Sequence, residues 1–151
     1  MLRYLALTGL IILVFVFIYQ FFGKKSQTEV NVKIKDTDYK LEIASTPAQK
    51  AKGLSGRSSL CPQCGMLFIF SSDAIQTFWM KDTLIPLDMI FLDSKGTVVT
   101  IHTARPEPGL PLHELTTYSS TAPARYVIEL NANQSQKIGL NVGDTISLPQ
   151  L

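Results

Sequence analysis

The sequence predicts a mostly β domain of the α+β class. We expect a compact, antiparallel, β-barrel-like domain with one or two short helices, preceded by a single transmembrane helix. Three observations predict this arrangement: an uncharged apolar run near the start, a series of short segments in which apolar and polar residues alternate, and one clear helix signal between them. Alternation with a period of two is typical of half-buried strands, and many short strands favour a closed or nearly closed sheet.

The apolar run over residues 4–22 has the length and the flanks of a membrane anchor. Nineteen helical residues rise about 28 Å, which is close to the thickness of the hydrocarbon core of a bilayer. Tyr4 and Tyr19 lie near its ends, and basic residues flank both sides, as is typical at membrane interfaces. A cleaved signal peptide is the alternative, but the run is long and no small-x-small cleavage site follows it. We therefore expect an anchor over 1–25 in contact with the lipid bilayer, and a linker over 26–28.

The remaining residues, 29–151, have the size of one ordinary domain. All twelve acidic residues lie beyond residue 25, together with eleven of the fourteen basic residues, so this part has a formal net charge of −1. Because it also lacks a basic stripe with interleaved aromatic residues, nucleic acid is excluded as a partner. Two cysteines weakly favour an oxidising compartment. We expect a single-pass membrane protein whose domain is periplasmic or extracellular.

The first half of the domain contains a hairpin followed by a helix. Residues 29–35 and 39–43 alternate apolar and polar side chains around a polar turn, which predicts two paired strands. Ser45 or Thr46 can serve as the N-cap and Pro47 fits the first turn, so a helix is predicted to begin there and to end near Gly53 or Gly56.

The second half is rich in predicted strands. Residues 102–124 contain four of the eight prolines and show no clear period, which predicts a long loop, and such loops are often functional. Around this loop we expect strands over 65–70, 77–81, 87–93, 97–101, 125–130 and 144–148.

A series of short motifs runs through the domain in a fixed order: Gly53-Leu54 with Arg57, Gly65-Met66-Leu67-Phe68, Phe78-Trp79-Met80-Lys81-Asp82-Thr83, Pro86-Leu87-Asp88, Ala124-Arg125-Tyr126-Val127-Ile128-Glu129-Leu130 and Gly143-Asp144. With these motifs, the sequence from about Val30 to Leu148 resembles the prokaryotic family called domain of unknown function 192. This resemblance implies a compact, mostly β domain, often behind an export signal or a membrane anchor, with no established activity. The chain departs from the family at Asp82, where Asn is usual, and at residues 131–133, where a Gly is usual.

Several of these motif residues form a candidate site for a small polar or charged ligand. In a strand over 77–81, Trp79 and Lys81 would point to one face. In the strand over 125–130, Arg125 and Glu129 would point to one face and lie about 13 Å apart. The alternative is a structural ion pair between Lys81 and a carboxylate. The predicted ligand-binding residues are Trp79, Lys81, Asp82, Asp88, Arg125 and Glu129.

Cys61 and Cys64 have the spacing of a redox motif, but no helix signal follows them as catalysis would require. A zinc site is also unsupported, because His102 and His113 are distant and unsuitably spaced. A local disulfide is the favoured interpretation, and a redox-active pair stays an alternative. We expect neither a metal nor a cofactor.

Taken together, these features favour a module that binds a small ligand or a peptide or glycan segment, with the 102–124 loop as a lid. An enzyme is one alternative, either a hydrolase that uses Asp88 and Glu129 or a thiol-disulfide protein that uses Cys61 and Cys64. A structural partner in a membrane complex is the other. No common catalytic motif is present in the sequence.

Overall fold

The computed structural model describes residues 28–149, so the predicted anchor lies outside the described residues, as does all but the last residue of the linker. Among residues 28–149, no helix is long and apolar enough to cross a membrane. The described helices are α1 Pro47–Lys52, α2 Gln134–Lys137 and a 3-10 helix over Leu112–Glu114. The strands are β1 Glu29–Ile34, β2 Thr37–Ala44, β3 Cys64–Ala74, β4 Thr77–Trp79, β5 Leu87–Leu92, β6 Val98–Ala104, β7 Thr117–Ser119 and β8 Ala124–Asn131.

Six strands form one sheet in the order β1-β2-β3-β8-β5-β6, and β4 and β7 form a separate pair. The mostly β prediction, with two short α-helices in a compact domain, is confirmed. The sheet is open among the described residues, however, and does not close into the expected barrel. It is also mixed, because β2 and β3 are parallel. Parallel neighbours need a crossover connection, and α1 with the segment after it supplies one between β2 and β3.

The main sheet is covered on both faces. All six residues of β5 are buried, because this strand lies between β8 and β6 and is packed from both sides. Ile90 and Leu92 belong to the core on one face, while Met89 and Phe91 belong to the core on the other. Burial of a large aliphatic or aromatic side chain stabilises a fold by about 1.5–3 kcal/mol, so both faces stabilise this domain.

Of the two predicted N-caps and the two predicted ends of helix α1, the structure selects Thr46 and Gly53. The Thr46 side chain accepts a hydrogen bond from the backbone N–H of Gln49, and the Gln49 side chain accepts one from the backbone N–H of Thr46. This reciprocal capping box stabilises the first turn. The helix ends at Gly53, which has a φ of 47° and lies against the Phe68 ring. A side chain here would be strained in the backbone and tight against the ring.

Other predicted elements differ from the structure. The predicted strand over 77–81 ends at Trp79, and the one over 144–148 is reduced to a single bridge between Thr145 and Thr97. The predicted loop over 102–124 contains the end of β6, the 3-10 helix and β7. Strand β7 is only three residues long and pairs only with β4, so a period of two could not develop there.

Candidate functional site

Glu129 is a buried carboxyl group on β8. Its cross-strand neighbours are Met66 on β3 and Met89 on β5, both buried, and only 5% of Glu129 itself is exposed. Among residues 28–149 no hydrogen bond or ion pair to its side chain is formed. Burial raises the pKa of Glu129 to about 8, because the charged form loses its hydration. At neutral pH the group is therefore mostly protonated and uncharged.

The Glu129 side chain faces a small cavity, which we call the Glu129 pocket. Its volume is about 180 Å³. Strand β3, strand β4, helix α1 and the segment after β4 form the other walls. The lining residues that matter below are the lysines Lys50, Lys52 and Lys81, the aromatic residues Phe68, Phe70, Phe78 and Trp79, and Glu129.

An aromatic cluster fixes one wall of the Glu129 pocket. The Phe78 ring meets the Phe68 ring edge to face, with 5.0 Å between ring centroids, and the Phe91 ring at 5.7 Å. Such contacts hold an aromatic ring in one orientation. The next residue, Trp79, lines the pocket and is 47% exposed. Met80 is buried and Lys81 is exposed, so the alternation predicted around Trp79 and Lys81 extends beyond the end of β4.

Three lysines line the same pocket. The Lys50 ammonium donates a hydrogen bond to the Ile69 carbonyl at 3.2 Å and lies 4.7 Å from the centroid of the Phe70 ring. Lys52 and Lys81 are exposed. Within the described part of the chain neither forms an ion pair with an acid. The structural ion pair considered for Lys81 is therefore not formed with Glu129 or with Asp88.

Asp88 is not part of the Glu129 pocket. In the register of β5 and β8, Asp88 lies opposite Leu130 and Met89 lies opposite Glu129. Because successive residues of a strand point to opposite faces, the Asp88 and Glu129 side chains lie on opposite faces of the sheet.

The Asp88 carboxylate is fully occupied by protein donors. It accepts hydrogen bonds from the Thr103 hydroxyl at 2.7 Å, from the backbone N–H of Asn133 at 3.0 Å and from the backbone N–H of Ser135 at 2.8 Å. The Ser135 hydroxyl is a fourth donor. Asp88 is completely buried. It ties α2 and the turn before it to β5 and β6.

Asp82 and Arg125 also lie apart from the Glu129 pocket. Asp82 lines an adjacent cavity of about 420 Å³ together with Glu107 and several leucines. Arg125 lines a third cavity of about 780 Å³ beside Lys95, and its buried Nε atom has no hydrogen-bond partner among the described residues. Of the six predicted site residues, the structure brings together Trp79, Lys81 and Glu129.

Lys50 and Lys52 line the Glu129 pocket but are not among the ligand-binding residues predicted from the sequence. Both are basic residues in the last turn of α1, and the helix itself was predicted. The sequence does not show that α1 packs beside β3, which is what brings these lysines to the pocket.

The loop after α1 is held by Arg57, which donates two hydrogen bonds to the Glu42 carboxylate at 2.6 and 2.7 Å. The hydrogen bonds from Arg57 lower the pKa of Glu42.

Cys61 and Cys64 form a disulfide, with 5.1 Å between their Cα atoms. The bond closes a tight turn directly before β3, where the backbone N–H of Cys64 also donates to the Cys61 carbonyl. The Asn131 side chain donates to the same carbonyl at 2.9 Å. The turn leads into a strand and not into a helix, so the context of a catalytic thiol pair is absent here. In the described part of the chain, no cluster of three His, Cys, Asp or Glu side chains could hold a metal ion.

Comparison with known proteins places the domain in a family. Residues 29–148 match the model of the domain of unknown function 192 family, which is described as uncharacterised ACR. The chain belongs to this family. No curated protein matches it.

Two solved structures are similar to this member of the family. A crystal structure from Sinorhizobium meliloti 1021, described as a "putative transcription regulator", is 35% identical with a TM-score of 0.69; the match covers 79% of this chain and 91% of that one. A protein of unknown function from Novosphingobium aromaticivorans DSM 12444 is 31% identical with a TM-score of 0.67, covering 80% of this chain and 84% of that one.

Proposed function

We propose that this chain is a single-pass membrane protein that presents its β-rich domain on the periplasmic or outer side as a binding module. The ligand is small, or is one unit of a peptide or glycan segment, and it enters the Glu129 pocket. The observation that carries this proposal is the buried Glu129 carboxyl, which faces a cavity and has no partner among the described residues.

The energetics of Glu129 support a role in binding. A pKa that rises from 4.5 to about 8 corresponds to roughly 4–5 kcal/mol of penalty on the charged form. Protonation avoids most of this penalty at neutral pH. A ligand that meets the Glu129 carboxyl in the pocket gains a hydrogen bond that no described residue provides.

The size of the pocket limits the ligand. A cavity of about 180 Å³ holds roughly six water molecules at their volume in the liquid. One sugar ring or one amino-acid unit fits this space, while a folded partner does not. The half-exposed Trp79 ring adds an apolar surface beside the pocket, so a longer chain can extend past it.

The alternatives have less support. A hydrolase that pairs Asp88 with Glu129 would need both carboxyl groups at one site, and the sheet separates them. The description of the Sinorhizobium meliloti protein as a "putative transcription regulator" would imply a nucleic-acid surface here. With eleven basic and twelve acidic residues beyond residue 25, this domain has no excess of positive charge for such a surface.

Trp79 makes the proposal directly testable, because it is the only tryptophan in the chain and it lines the pocket. The full-length protein in detergent is screened against sugars, peptides and metabolites by thermal shift, and Trp79 emission is then recorded for each hit. We expect the true ligand to change the emission, and Glu129→Leu to weaken its binding at least tenfold. The exposed Glu114 provides the matched control Glu114→Gln, which retains binding.

Two outcomes would contradict the proposal. A hit that binds Glu129→Leu as tightly as the parent chain, without changing Trp79 emission, places the site elsewhere. For the membrane part, recovery of the full-length chain in the aqueous fraction after carbonate extraction would exclude an anchor over 4–22.

A further inference from the structure

The titratable groups around the Glu129 pocket are unequal in number. Helix α1 contributes Lys50 and Lys52, the segment after β4 contributes Lys81, and β8 contributes Glu129. The β3 wall is aromatic and carries no titratable group. Outside the pocket lining, Lys81 shares the adjacent cavity with Asp82 and Glu107, and Glu42, whose pKa is lowered by Arg57 and more weakly by Lys52, lies near Lys52. The pocket lining itself contains three lysines and one acid, so it carries a net positive charge even when Glu129 is ionised.

The lysines and Glu129 occupy different depths of the pocket. Lys52 and Lys81 are exposed, whereas Glu129 is almost fully buried. Burial is the cause of the raised pKa of Glu129, so the lysines do not lie close enough to return that carboxyl to its charged form. A ligand thus meets positive charge at the entrance and a neutral group at the base.

A protonated carboxyl at the base can both donate and accept a hydrogen bond. It suits a hydroxyl or an amide, and it does not repel an anion. An amine, in contrast, must pass the exposed Lys52 and Lys81 before it reaches Glu129, the only acid that lines the pocket. Lys52 and Lys81 are exposed, so their attraction for an anion is modest and is screened by salt. The sign of the charge at the entrance still favours an anion over an amine.

We infer that the ligand of the Glu129 pocket is an anionic sugar unit, whose carboxylate or phosphate group meets Lys52 and Lys81 while a neutral hydroxyl meets Glu129. This inference rests on the proposed function. A sugar ring is favoured over a peptide terminus because the Trp79 side chain, which is 47% exposed, is an apolar surface on which the C–H groups of a sugar ring can pack. The pocket volume of about 180 Å³ also suits one ring. A carboxylate and a phosphate both present negatively charged oxygens to the lysines, and the experiment tests the two groups separately.

The test uses a set of sugars that share one ring and differ in charge. The emission of Trp79 in the full-length protein is titrated with glucuronate, glucose 6-phosphate, glucose and glucosamine. Alanine tripeptides with a free and an amidated carboxyl end form a second set. We expect one of the two anionic sugars to bind at least tenfold more tightly than glucose, and glucosamine to bind most weakly. Raising NaCl from about 50 to 500 mM should reduce this preference.

Lys81→Met removes the charge at the entrance and keeps most of the aliphatic stem. It should weaken binding of the anionic sugar about five- to tenfold and weaken binding of glucose much less, because glucose has no charge to meet Lys81. The matched control is Lys33→Met on the exposed edge strand β1, which should change neither. Circular dichroism of both variants checks that the fold is retained.

Three other results would contradict different parts of this inference. If glucose or glucosamine binds as tightly as the anions, the inference of an anionic ligand is wrong while the pocket remains a binding site. If the free tripeptide binds and no sugar does, the assignment to a sugar is wrong. If no member of either set changes Trp79 emission, the inference of an anionic sugar is wrong, and the broader screen described above decides the proposed function separately.

Discussion

Replacing Asp88 with Asn should destabilise the domain, because this buried carboxylate holds α2 against the sheet. Each of its oxygens accepts two hydrogen bonds. One oxygen serves the Thr103 hydroxyl and the backbone N–H of Asn133, and the other serves the N–H and hydroxyl of Ser135. Asp88→Asn retains the shape of the side chain and removes the charge and one acceptor.

The magnitude follows from the donors that lose an acceptor. In the best orientation of the introduced amide, its oxygen retains one pair of donors and its NH2 group faces the other pair. The Ser135 hydroxyl can rotate to accept, but the Ser135 backbone N–H cannot. A hydrogen bond to a charged group contributes about 1.5–3 kcal/mol, and the two remaining bonds weaken when the charge is lost. We therefore expect the free energy of unfolding to fall by roughly 2–4 kcal/mol.

The assay is equilibrium unfolding of the full-length protein by urea in detergent, followed by Trp79 emission. The matched control is Asp82→Asn, because Asp82 is exposed, its side chain accepts no hydrogen bond from the described residues, and Asn tolerates its φ of 53°. This control should change the free energy of unfolding by less than about 0.5 kcal/mol. A double-mutant cycle of Asp88→Asn with Ser135→Ala should show a coupling of about 1 kcal/mol or more. If Asp88→Asn is as stable as Asp82→Asn, the hydrogen bonds to the Asp88 carboxylate do not stabilise the fold, which would contradict this prediction.

Three further predictions concern Glu129, the disulfide and one glycine. The free energy of unfolding should fall by roughly 4 kcal/mol from pH 4.5 to pH 8, because the folded state retains the Glu129 proton up to a pKa of about 8 and the unfolded state releases it near pH 4.5. The Glu129→Gln variant should lack this part of the pH dependence. An equal dependence on pH in both proteins would contradict the raised pKa. A Cys61→Ser/Cys64→Ser double variant should stay folded and lose at most about 2 kcal/mol in urea unfolding, since the closed loop is so short; an unfolded variant would contradict a merely local role. Gly65→Ala should lower stability by about 3 kcal/mol, because its Cβ would collide with the Glu129 carbonyl and the Leu130 side chain, and a melting temperature equal to that of the parent chain would contradict this packing.

Local signals in the sequence predicted the local elements well. The β1–β2 hairpin and α1 depend on alternation, on a turn and on a capping box, all of which are contained within a few neighbouring residues. The open, mixed sheet depends instead on which strands pair across the chain. Strand β8 lies between β3 and β5, far from both in sequence, and no pattern within β8 specifies those partners. The barrel-like expectation failed at that step.

The candidate site shows the same division. Alternation from Phe78 to Lys81 placed Trp79 and Lys81 on one side, and the structure agrees. The face on which Asp88 lies could not be predicted in this way. Every residue of β5 is buried, so this strand lacks the alternation of apolar and polar residues that would distinguish its two faces. Lys50 and Lys52 required knowledge of how α1 packs beside β3, which is a tertiary contact.

Asp88 and Glu129 show why the chemistry of a residue type does not by itself identify a site. They are both buried acids, on neighbouring strands and one residue apart in register, since Asp88 pairs with Leu130 and Met89 pairs with Glu129. That offset of one residue sends the two carboxyl groups to opposite faces. On its face Asp88 meets four protein donors, so its hydrogen-bonding capacity is used in holding the fold. On the other face Glu129 meets none among the described residues and opens onto a pocket lined by lysines. The Glu129 carboxyl therefore retains its hydrogen-bonding capacity for a ligand.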